Sequence, residues 1–441
     1  MIKKIFAYLS NIYKTKSAKM NKNISFLLGS GFSIPDGVLG VREINQRLKK
    51  IDESEILIHS DMRAIFLNGQ KDPNRFMNWD ERQFVQEFLN FYSEHVLKPG
   101  DEFHYETFYD YYSDYLRGRG NQKEIDSFVE EFNKKIASGE AQIEKNAGTR
   151  LDAFNRSFNQ LLSELIHSRK YFNDVGMANY VVYDPFIRFL KRILVNHDVK
   201  VHSLNHDLLF EYFGKNHSDL FKYFSDGFEL EGSPFYGAVS ITYDRGTERE
   251  VSKDYKVKLP RFTNFFNTKL ALFKLHGSIM SYKVHRVYSS EPEGRDTVRI
   301  KGDYGVRKYF EEYEDSKTKK LKMEYLWDEP DPDFLSGTTE KTRRYSEPYY
   351  KLLFEHFEKN LTNAEILVVI GYGFKDPIIN EYIEKHFLPN GGKMFVIGRS
   401  NPDSKLLEKY NAAFYDGSGH GLTGLTPENY SEILSEIGVQ T

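Results

Sequence analysis

Short apolar runs, each bounded by small or polar residues, recur along the chain and predict buried β-strands. The first run is Ile24–Leu28, and Gly29 follows it directly. A helix is predicted to begin near Arg42, because Ile44 and Leu48 lie one helical turn apart in a polar context. A strand, a glycine-rich turn and a helix in this order are typical of the start of a nucleotide-binding α/β domain.

The sequence between residues 53 and 179 has helical periodicity instead. Apolar side chains such as Phe84, Phe88 and Tyr92 form a stripe at helical spacing. We therefore predict that residues 53–179 form a large helical insertion. The aromatic cluster from Phe103 to Tyr115 is expected to form core or a subunit interface, and ligand binding by its tyrosines is the alternative.

The α/β pattern resumes at residue 180. Asp184 and Pro185 are residue types of an N-cap and a first helical position, so a helix is predicted to start there. Further apolar segments predict strands at Val199–Leu204, Leu270–Leu275, Ile366–Ile370 and Lys393–Ile397, a hairpin around Ile241–Val257, and a helix at Pro348–Leu361. The predicted fold is α/β, with a Rossmann-like parallel sheet built from residues 21–52 and 180–441.

Composition narrows the function classes. The chain has 441 residues, 40% of them hydrophobic and 28% charged, which fits a globular protein of two or three units. Its net charge of -3 gives no electrostatic reason to expect direct nucleic-acid binding. There is no cysteine, which excludes disulfides, cysteine-ligated zinc and a cysteine nucleophile.

Residues 1–20 are basic and mildly apolar, and Lys14, Lys16 and Lys19 interrupt any resemblance to a signal peptide. We expect a surface helix or arm there, or an upstream extension if Met20 is the true start. No apolar stretch in the chain is long enough to span a bilayer, so we expect a cytoplasmic protein without membrane contact.

Four glycine-rich or polar clusters each follow a predicted strand. Since the carboxyl ends of parallel strands meet at one edge of a sheet, the four clusters are expected to converge on one crevice. They are Gly29-Ser30-Gly31-Phe32-Ser33, Ser203-Leu204-Asn205-His206-Asp207, Lys274-Leu275-His276-Gly277-Ser278 and Ile370-Gly371-Tyr372-Gly373-Phe374-Lys375-Asp376-Pro377.

Each cluster has a structural alternative to a chemical role. The glycines of the first cluster can admit a pyrophosphate or simply form a tight turn. Asn205 can hold a ribose hydroxyl or a water, or cap a helix, and capping is the favoured role of Asp207. His276 can take a proton at neutral pH or serve as a hydrogen-bonded turn residue, and His206 is open to the same two interpretations.

Taken in order, the four clusters resemble motifs of the sirtuins. Gly29–Ser33 resembles the GAGxS phosphate loop, Asn205 and Asp207 resemble N-x-D, and Lys274–Ser278 resembles K-L-H-G-S. Ile370–Asn380 resembles the I-G-Y-x-F-x-D-x-x-I-N signature of the bacterial sirtuin-like branch. The resemblance covers residues 20–50 and 184–420, and neither the insertion nor the loops at 213–268 and 282–344 carry a matching motif.

Two departures separate the chain from sirtuin deacetylases. Those enzymes usually carry a four-cysteine zinc module, and this chain has no cysteine. Their G-I-P-D-F-R stretch corresponds to Gly37–Arg42, where the aspartate is missing although Asp36 lies nearby. The chain is more similar to the sirtuin-domain NADases of bacterial antiphage defence, of the Thoeris and sirtuin–HerA types.

This resemblance implies an NAD⁺ glycohydrolase that needs no zinc and works in antiphage defence. It also implies a homo-oligomer, with a separately encoded HerA-type ATPase as a candidate partner. Asn205 would orient the ribose or the attacking water, and His276 would be the general base. The implied NAD⁺-binding residues are Gly29, Ser30, Gly31, Phe32, Ser33 and Asp207, with Gly371, Tyr372, Gly373, Gly398 and Arg399 on the adenosine half. An NAD⁺ or ADP-ribose sensor, an oligomeric scaffold for a partner ATPase and, less strongly, an NAD⁺-dependent deacylase are the alternatives.

Overall fold

The structure is a computed structural model. It describes residues 23–59, 63–69, 78–120, 122–136, 145–167, 180–243, 251–285, 297–302, 306–326, 332–398, 404–416 and 427–437. The predicted arm at residues 1–20 lies outside the described residues.

Eighteen strands are described. In chain order they are β1 (Ile24–Leu28), β2 (Ile56–Ile58), β3 (Ala64–Phe66), β4 (Val199–Ser203), β5 (Phe224–Ser225), β6 (Gly227–Glu229), β7 (Phe235–Tyr243), β8 (Val251–Lys258), β9 (Arg261–Phe265), β10 (Leu270–Lys274), β11 (Gly277–His285), β12 (Thr297–Lys301), β13 (Val306–Glu314), β14 (Leu321–Tyr325), β15 (Pro332–Phe334), β16 (Ile366–Ile370), β17 (Lys393–Gly398) and β18 (Ala412–Asp416).

Thirteen α-helices are described. They are α1 (Val41–Lys49), α2 (Trp79–Phe91), α3 (Tyr105–Leu116), α4 (Gln122–Ile136), α5 (Ala147–Ile166), α6 (Tyr180–Leu194), α7 (Leu209–Asn216), α8 (Ser218–Phe221), α9 (Thr339–Arg344), α10 (Pro348–Asn363), α11 (Pro377–Tyr382), α12 (Ser404–Tyr410) and α13 (Pro427–Ile437).

A seven-stranded parallel sheet in the order β18-β17-β16-β1-β4-β10-β5 forms the centre of the fold. Every pairing between its strands is parallel. After β1 the chain adds β4, β5 and β10 on one side, and it returns to place β16 on the other. The strand order therefore reverses between β1 and β16, and such a switch point is where open α/β sheets bind ligands. The predicted Rossmann-like α/β fold is confirmed.

Successive side chains of β1 supply the cores on the two faces of this sheet, as strand geometry requires. Phe26 packs with residues of α6, α7 and α13, such as Phe186. Leu27 packs on the opposite face with residues of α10 and α11, such as Phe357. Because helices cover both faces, the strands read in sequence as continuous apolar runs rather than as alternating ones.

The helices α2 to α5 and the β2–β3 hairpin share a core of their own. Arg150 is fully buried there, and its guanidinium lies 2.9 Å from Asp80 and 3.1 Å from Glu81. Phe108 and Tyr112 of the aromatic cluster have no exposed surface. These aromatic side chains therefore stabilise the core of the helical region, which was the preferred interpretation of that cluster.

Antiparallel strands occupy the segments without motifs. One sheet has the order β15-β11-β12-β9-β6 and another the order β14-β13-β7-β8. The predicted hairpin around Ile241–Val257 corresponds to β7 and β8, whose pairing extends from Tyr243 with Val251 to Tyr236 with Lys258.

The predicted start of the helix at Asp184 and Pro185 is wrong. Helix α6 begins at Tyr180, so Pro185 is its sixth residue. Proline lacks the N–H that would bond to Val181, so the helix loses one internal hydrogen bond at this position. The added turn buries Tyr183, whose hydroxyl donates to the Phe32 carbonyl at 2.6 Å.

Candidate functional site

The loops that follow β1 and β16 are in direct backbone contact at the switch point. A Cβ on Gly29 would lie 2.6 Å from the Gly371 oxygen, and a Cβ on Gly31 would lie 2.8 Å from the Gly371 Cα. Gly371 has a φ of +65° and would place its own Cβ 2.4 Å from the backbone of Gly31. The packing of the two loops on each other therefore requires these three glycines.

Most amides of the Gly29–Ser33 loop donate hydrogen bonds within the protein. Gly29 donates to Ile370 at 2.9 Å and Gly31 to Gly371 at 3.0 Å. Phe32 and Ser33 donate back to Gly29 and Ser30 at 2.9 and 3.0 Å. These four amides are therefore not free to bind a phosphate.

The side chains of this loop also differ in where they lie. Ser30 is exposed at the tip, beside the crevice. Phe32 is 1% exposed and packs edge-on against Phe186. Ser30 is therefore the loop residue with exposed polar groups for a phosphate, whereas Phe32 offers only its backbone.

Asn205 ties the end of β4 to the glycine loop. Its Nδ2 donates to the Gly29 carbonyl at 2.9 Å and to the Ser33 hydroxyl at 3.0 Å, and its own N–H donates to Ser203 Oγ at 3.2 Å. The side-chain amide is thereby oriented so that Oδ1 is its remaining hydrogen-bonding atom. Asn205 is a clamp within the site and does not cap a helix.

Asp207 lies one residue before the N-cap of α7, which is Leu208, so it is not the N-cap itself. Its carboxylate accepts from the N–H of Leu209, the first residue of α7, at 2.9 Å. Its backbone carbonyl accepts a hydrogen bond from the buried ammonium of Lys274, the last residue of the neighbouring strand β10. The Asp207 carboxylate therefore supports the geometry of the strand ends, and its predicted contact with NAD⁺ stays a prediction.

His276 lies two residues after the end of β10 and is 6% exposed. Its Nε2 lies 3.1 Å from the Tyr345 hydroxyl and 3.5 Å from Asp376 Oδ2. The ring also hydrogen-bonds the backbone of Leu204. We assign that bond to Nδ1–H, so that Nε2 carries the lone pair and Tyr345 donates to it.

Electrostatics keep His276 neutral. Burial lowers its pKa well below the usual value, and the charges of Lys341 and His206 act in the same direction. Lys341 Nζ lies 3.0 Å from Asp376 Oδ2, so it offsets the carboxylate that would otherwise favour an imidazolium. A neutral imidazole is the form that accepts a proton.

His206 is the neighbour of His276 in space, with the two rings 6.1 Å apart. Burial lowers the pKa of His206 to about 3. Its Nδ1 is buried and accepts no hydrogen bond from the described residues. Sequence position alone gave no sign that the two rings lie side by side.

The loop after β16 is braced by internal hydrogen bonds. The Tyr372 hydroxyl donates to Asn380 Oδ1 at 2.9 Å, and it accepts from the N–H of Asp376 at 3.2 Å. Asp376 caps α11 through bonds to Ile378 and Ile379. The Tyr372 hydroxyl therefore holds the loop together.

The remaining adenosine-side predictions fall at the rim. Gly373 is exposed, with only a side-chain atom of Lys375 at 4.0 Å from where its Cβ would be, so a ligand can approach its backbone. Gly398 ends β17, and Arg399 lies outside the described residues.

Lys341 and Tyr345 are site residues that the sequence analysis missed. Both come from the α9 region, 65 and 69 residues beyond His276, in a segment without a motif. A lysine and a tyrosine in a charged segment carry no periodic or spacing signal, and only the fold brings them to the base.

Among the described residues, no group of three or more His, Asp and Glu side chains is arranged to hold a metal ion. None of the described helices is both long and apolar enough to cross a membrane.

Comparison with solved structures finds sirtuin proteins. Sir2Tm bound to a propionylated peptide is 10% identical with a TM-score of 0.32, over 100% of both chains. A Sir2 homologue in complex with ADP-ribose is 10% identical with a TM-score of 0.33, over 97% of this chain and 96% of its own. A Sir2 homologue in complex with NAD is 9% identical with a TM-score of 0.31, over 97% and 93%.

No protein-family model matches the chain, and comparison with curated proteins gives no match. TM-scores of this size assign neither an activity nor a ligand to the chain. The Rossmann-like architecture rests on the strand order itself.

Proposed function

We propose that this protein is an NAD⁺ glycohydrolase that cleaves the bond between nicotinamide and ribose. The observation that supports this most is that Asn205 bonds to the glycine loop after β1, while His276 lies 3.5 Å from Asp376 of the loop after β16. The two residues follow β4 and β10, which are adjacent parallel strands. The Asn205 amide oxygen can orient a hydroxyl or a water, and the neutral imidazole of His276 can accept a proton. The two groups at one edge of the sheet therefore suit the attack of water on a sugar carbon.

In this proposal NAD⁺ lies across the carboxyl ends of β1, β4 and β16. The exposed Ser30 would contact the pyrophosphate, and Gly373 and Gly398 would face the adenosine half. Asn205 Oδ1 would hold the ribose or the attacking water, and His276 would receive the proton. Nicotinamide leaves as a neutral molecule, and ADP-ribose is the other product.

The biological setting is proposed from the motif resemblance alone. NAD⁺ depletion in antiphage defence, a homo-oligomer and a separately encoded HerA-type ATPase follow from the likeness of the four clusters to sirtuin-domain NADases. Light scattering tests the homo-oligomer, and co-purification with the neighbouring gene product tests the ATPase partner.

The second candidate is an NAD⁺ or ADP-ribose sensor that binds without turnover. Two observations favour it: four loop amides donate within the protein, and the Nε2 atom of His276 is covered by Tyr345. A sensor needs the crevice but does not need an accessible base.

The deciding experiment measures nicotinamide release from NAD⁺ by purified protein without acyl peptide. A general base contributes about 10²–10⁴-fold, so His276→Ala should lower the rate at least roughly 10²-fold while the protein still binds NAD⁺. His206→Ala should have a mild effect. His285→Ala, a strand histidine far along β11, is the control.

Each alternative outcome has a distinct meaning. NAD⁺ binding without product supports the sensor, and cleavage that depends on an acyl peptide supports a deacylase. Near-normal turnover by His276→Ala together with loss in His206→Ala would move the base to His206.

A further inference from the structure

The lone pair of the candidate base is already occupied by a protein hydroxyl. Nε2 of His276 faces the Tyr345 hydroxyl at 3.1 Å, and the other ring nitrogen is used by the backbone of Leu204. A water molecule or a ribose hydroxyl therefore has no open nitrogen of His276 to approach. Any proton that reaches this imidazole must pass through Tyr345 or displace it.

We propose that the Tyr345 hydroxyl is a proton relay between the attacking water and His276, an inference that rests on the proposed hydrolase function. The water oxygen bonds to C1′ of the ribose as the bond from C1′ to nicotinamide breaks, and nicotinamide leaves with the electron pair. The water proton passes to the Tyr345 oxygen, and the Tyr345 hydroxyl proton passes to Nε2. The imidazolium later loses its proton to solvent, so the sum is NAD⁺ plus water giving nicotinamide, ADP-ribose and a proton.

Asp376 is placed to stabilise the imidazolium that this step creates. Its Oδ1 is used in capping α11, while its buried Oδ2 lies 3.5 Å from Nε2 and accepts no hydrogen bond of good geometry. A buried carboxylate oxygen without a full set of donors is costly, and a new N–H at 3.5 Å would reduce that cost. Lys341 Nζ, 3.0 Å from the same oxygen, is the cation nearest to this carboxylate among the contacts described.

The helical region fixes the position of the relay. Tyr345 directly follows α9, and Asp110 of α3 caps that helix from outside: its carboxylate accepts from the N–H groups of Thr338, Thr339 and Glu340, each at 2.9 Å. Gly337 leaves room for this carboxylate, because a Cβ there would lie 2.4 Å from Asp110 Oδ1. Phe354 packs on the Tyr345 ring, with the centroids 4.3 Å apart.

Asp110 is therefore a positioning residue that acts through α9. Asp114, one turn further along α3, pairs its carboxylate with the partly exposed Arg343 of α9 at 2.9 Å. Exposed pairs of this kind contribute little to stability. The two aspartates form a matched pair for mutagenesis, since they have the same charge and lie on the same helix.

The test uses the full chain with Tyr345→Phe, which keeps the ring against Phe354 and removes only the hydroxyl. We expect kcat for nicotinamide release to fall at least roughly 10-fold, with KM changed less than about twofold. Asp110→Asn should lower kcat in the same sense, and Asp114→Asn should leave it unchanged.

Solvent isotope effects separate a relay from a merely structural role. Two protons move in one step in the wild type, so a plot of the rate against the D₂O fraction should be curved. In Tyr345→Phe a single transfer remains, and the dependence should become linear. A curve of the same shape in both proteins would overturn the relay.

Three further outcomes are informative. A rise in kcat for Tyr345→Phe would overturn the relay and show that the hydroxyl obstructs the base. If the wild type releases no more nicotinamide than His276→Ala, the hydrolase itself fails and the relay with it. An unchanged kcat in Tyr345→Phe, beside an inactive His276→Ala, would reject the relay alone.

Discussion

Replacing Asn205 by alanine should damage both stability and activity, because this side chain connects two strand ends. In the folded protein Nδ2 donates to the Gly29 carbonyl and to the Ser33 hydroxyl, at 2.9 and 3.0 Å. Asn205 and both partner residues are buried, with Ser33 1% exposed. Alanine removes both donors and leaves the two acceptors in place.

The magnitude follows from the hydrogen bonds that are lost. The Gly29 carbonyl keeps the bond from the Phe32 N–H at 2.9 Å, and the Ser33 hydroxyl can rotate, so neither acceptor is left without a partner. Two buried hydrogen bonds disappear, at a cost of about 0.5–1.5 kcal/mol each, or about 1–3 kcal/mol together. We expect Asn205→Ala to lower the free energy of unfolding by that amount.

Urea unfolding followed by circular dichroism measures this loss, and Asn363→Ala is the control because its amide bonds only to Lys359 at an exposed helix end. Nicotinamide release by the same variant should also fall strongly, since the ribose or water loses its positioning group. An Asn205→Ala protein as stable as the wild type would refute the clamp. A stable and fully active variant would remove Asn205 from the site.

Two predictions concern backbone and charge. Gly371→Ala should misfold or lose several kcal/mol of folding free energy, since its φ is +65° and its Cβ would lie 2.4 Å from the backbone of Gly31. Gly391→Ala is the control: its φ is +67° but its Cβ would lie in open space, so it should cost only about 1 kcal/mol of strain. Melting curves of the two variants make the comparison. Burial lowers the pKa of His202 to about 3 in the folded protein, whereas the unfolded chain binds this proton below about pH 6.5. The unfolded state is therefore favoured as the pH falls, and the free energy of unfolding should decrease by about 2 kcal/mol between pH 7 and pH 5. Urea unfolding at both pH values tests this, and an equal fall in His202→Gln would contradict it.

The apolar pattern alone located five of the seven strands of the parallel sheet, and it missed β5 and β18. Residues 24–28 and 366–370 are strands with the predicted ends, since each is a run of five apolar or small residues closed by glycine. Runs of this kind are buried whichever strands lie beside them, so they need no tertiary information. The start of α6 was missed because packing of Tyr183 outweighs the hydrogen bond that Pro185 removes.

The sequence also determined which clusters lie at the crevice, because a cluster that follows a parallel strand must lie at the carboxyl edge. Tertiary structure alone decided what those clusters contact. The bond from Asn205 to Gly29 joins residues 176 positions apart, and Tyr345 reaches His276 across 69. Such contacts depend on the order of strands in the sheet and on the docking of α9 against α3. Neither the strand order nor the docking of α9 produces a periodic pattern in the local sequence. A single polar side chain reaches its partner only because apolar surfaces elsewhere determine how the elements pack.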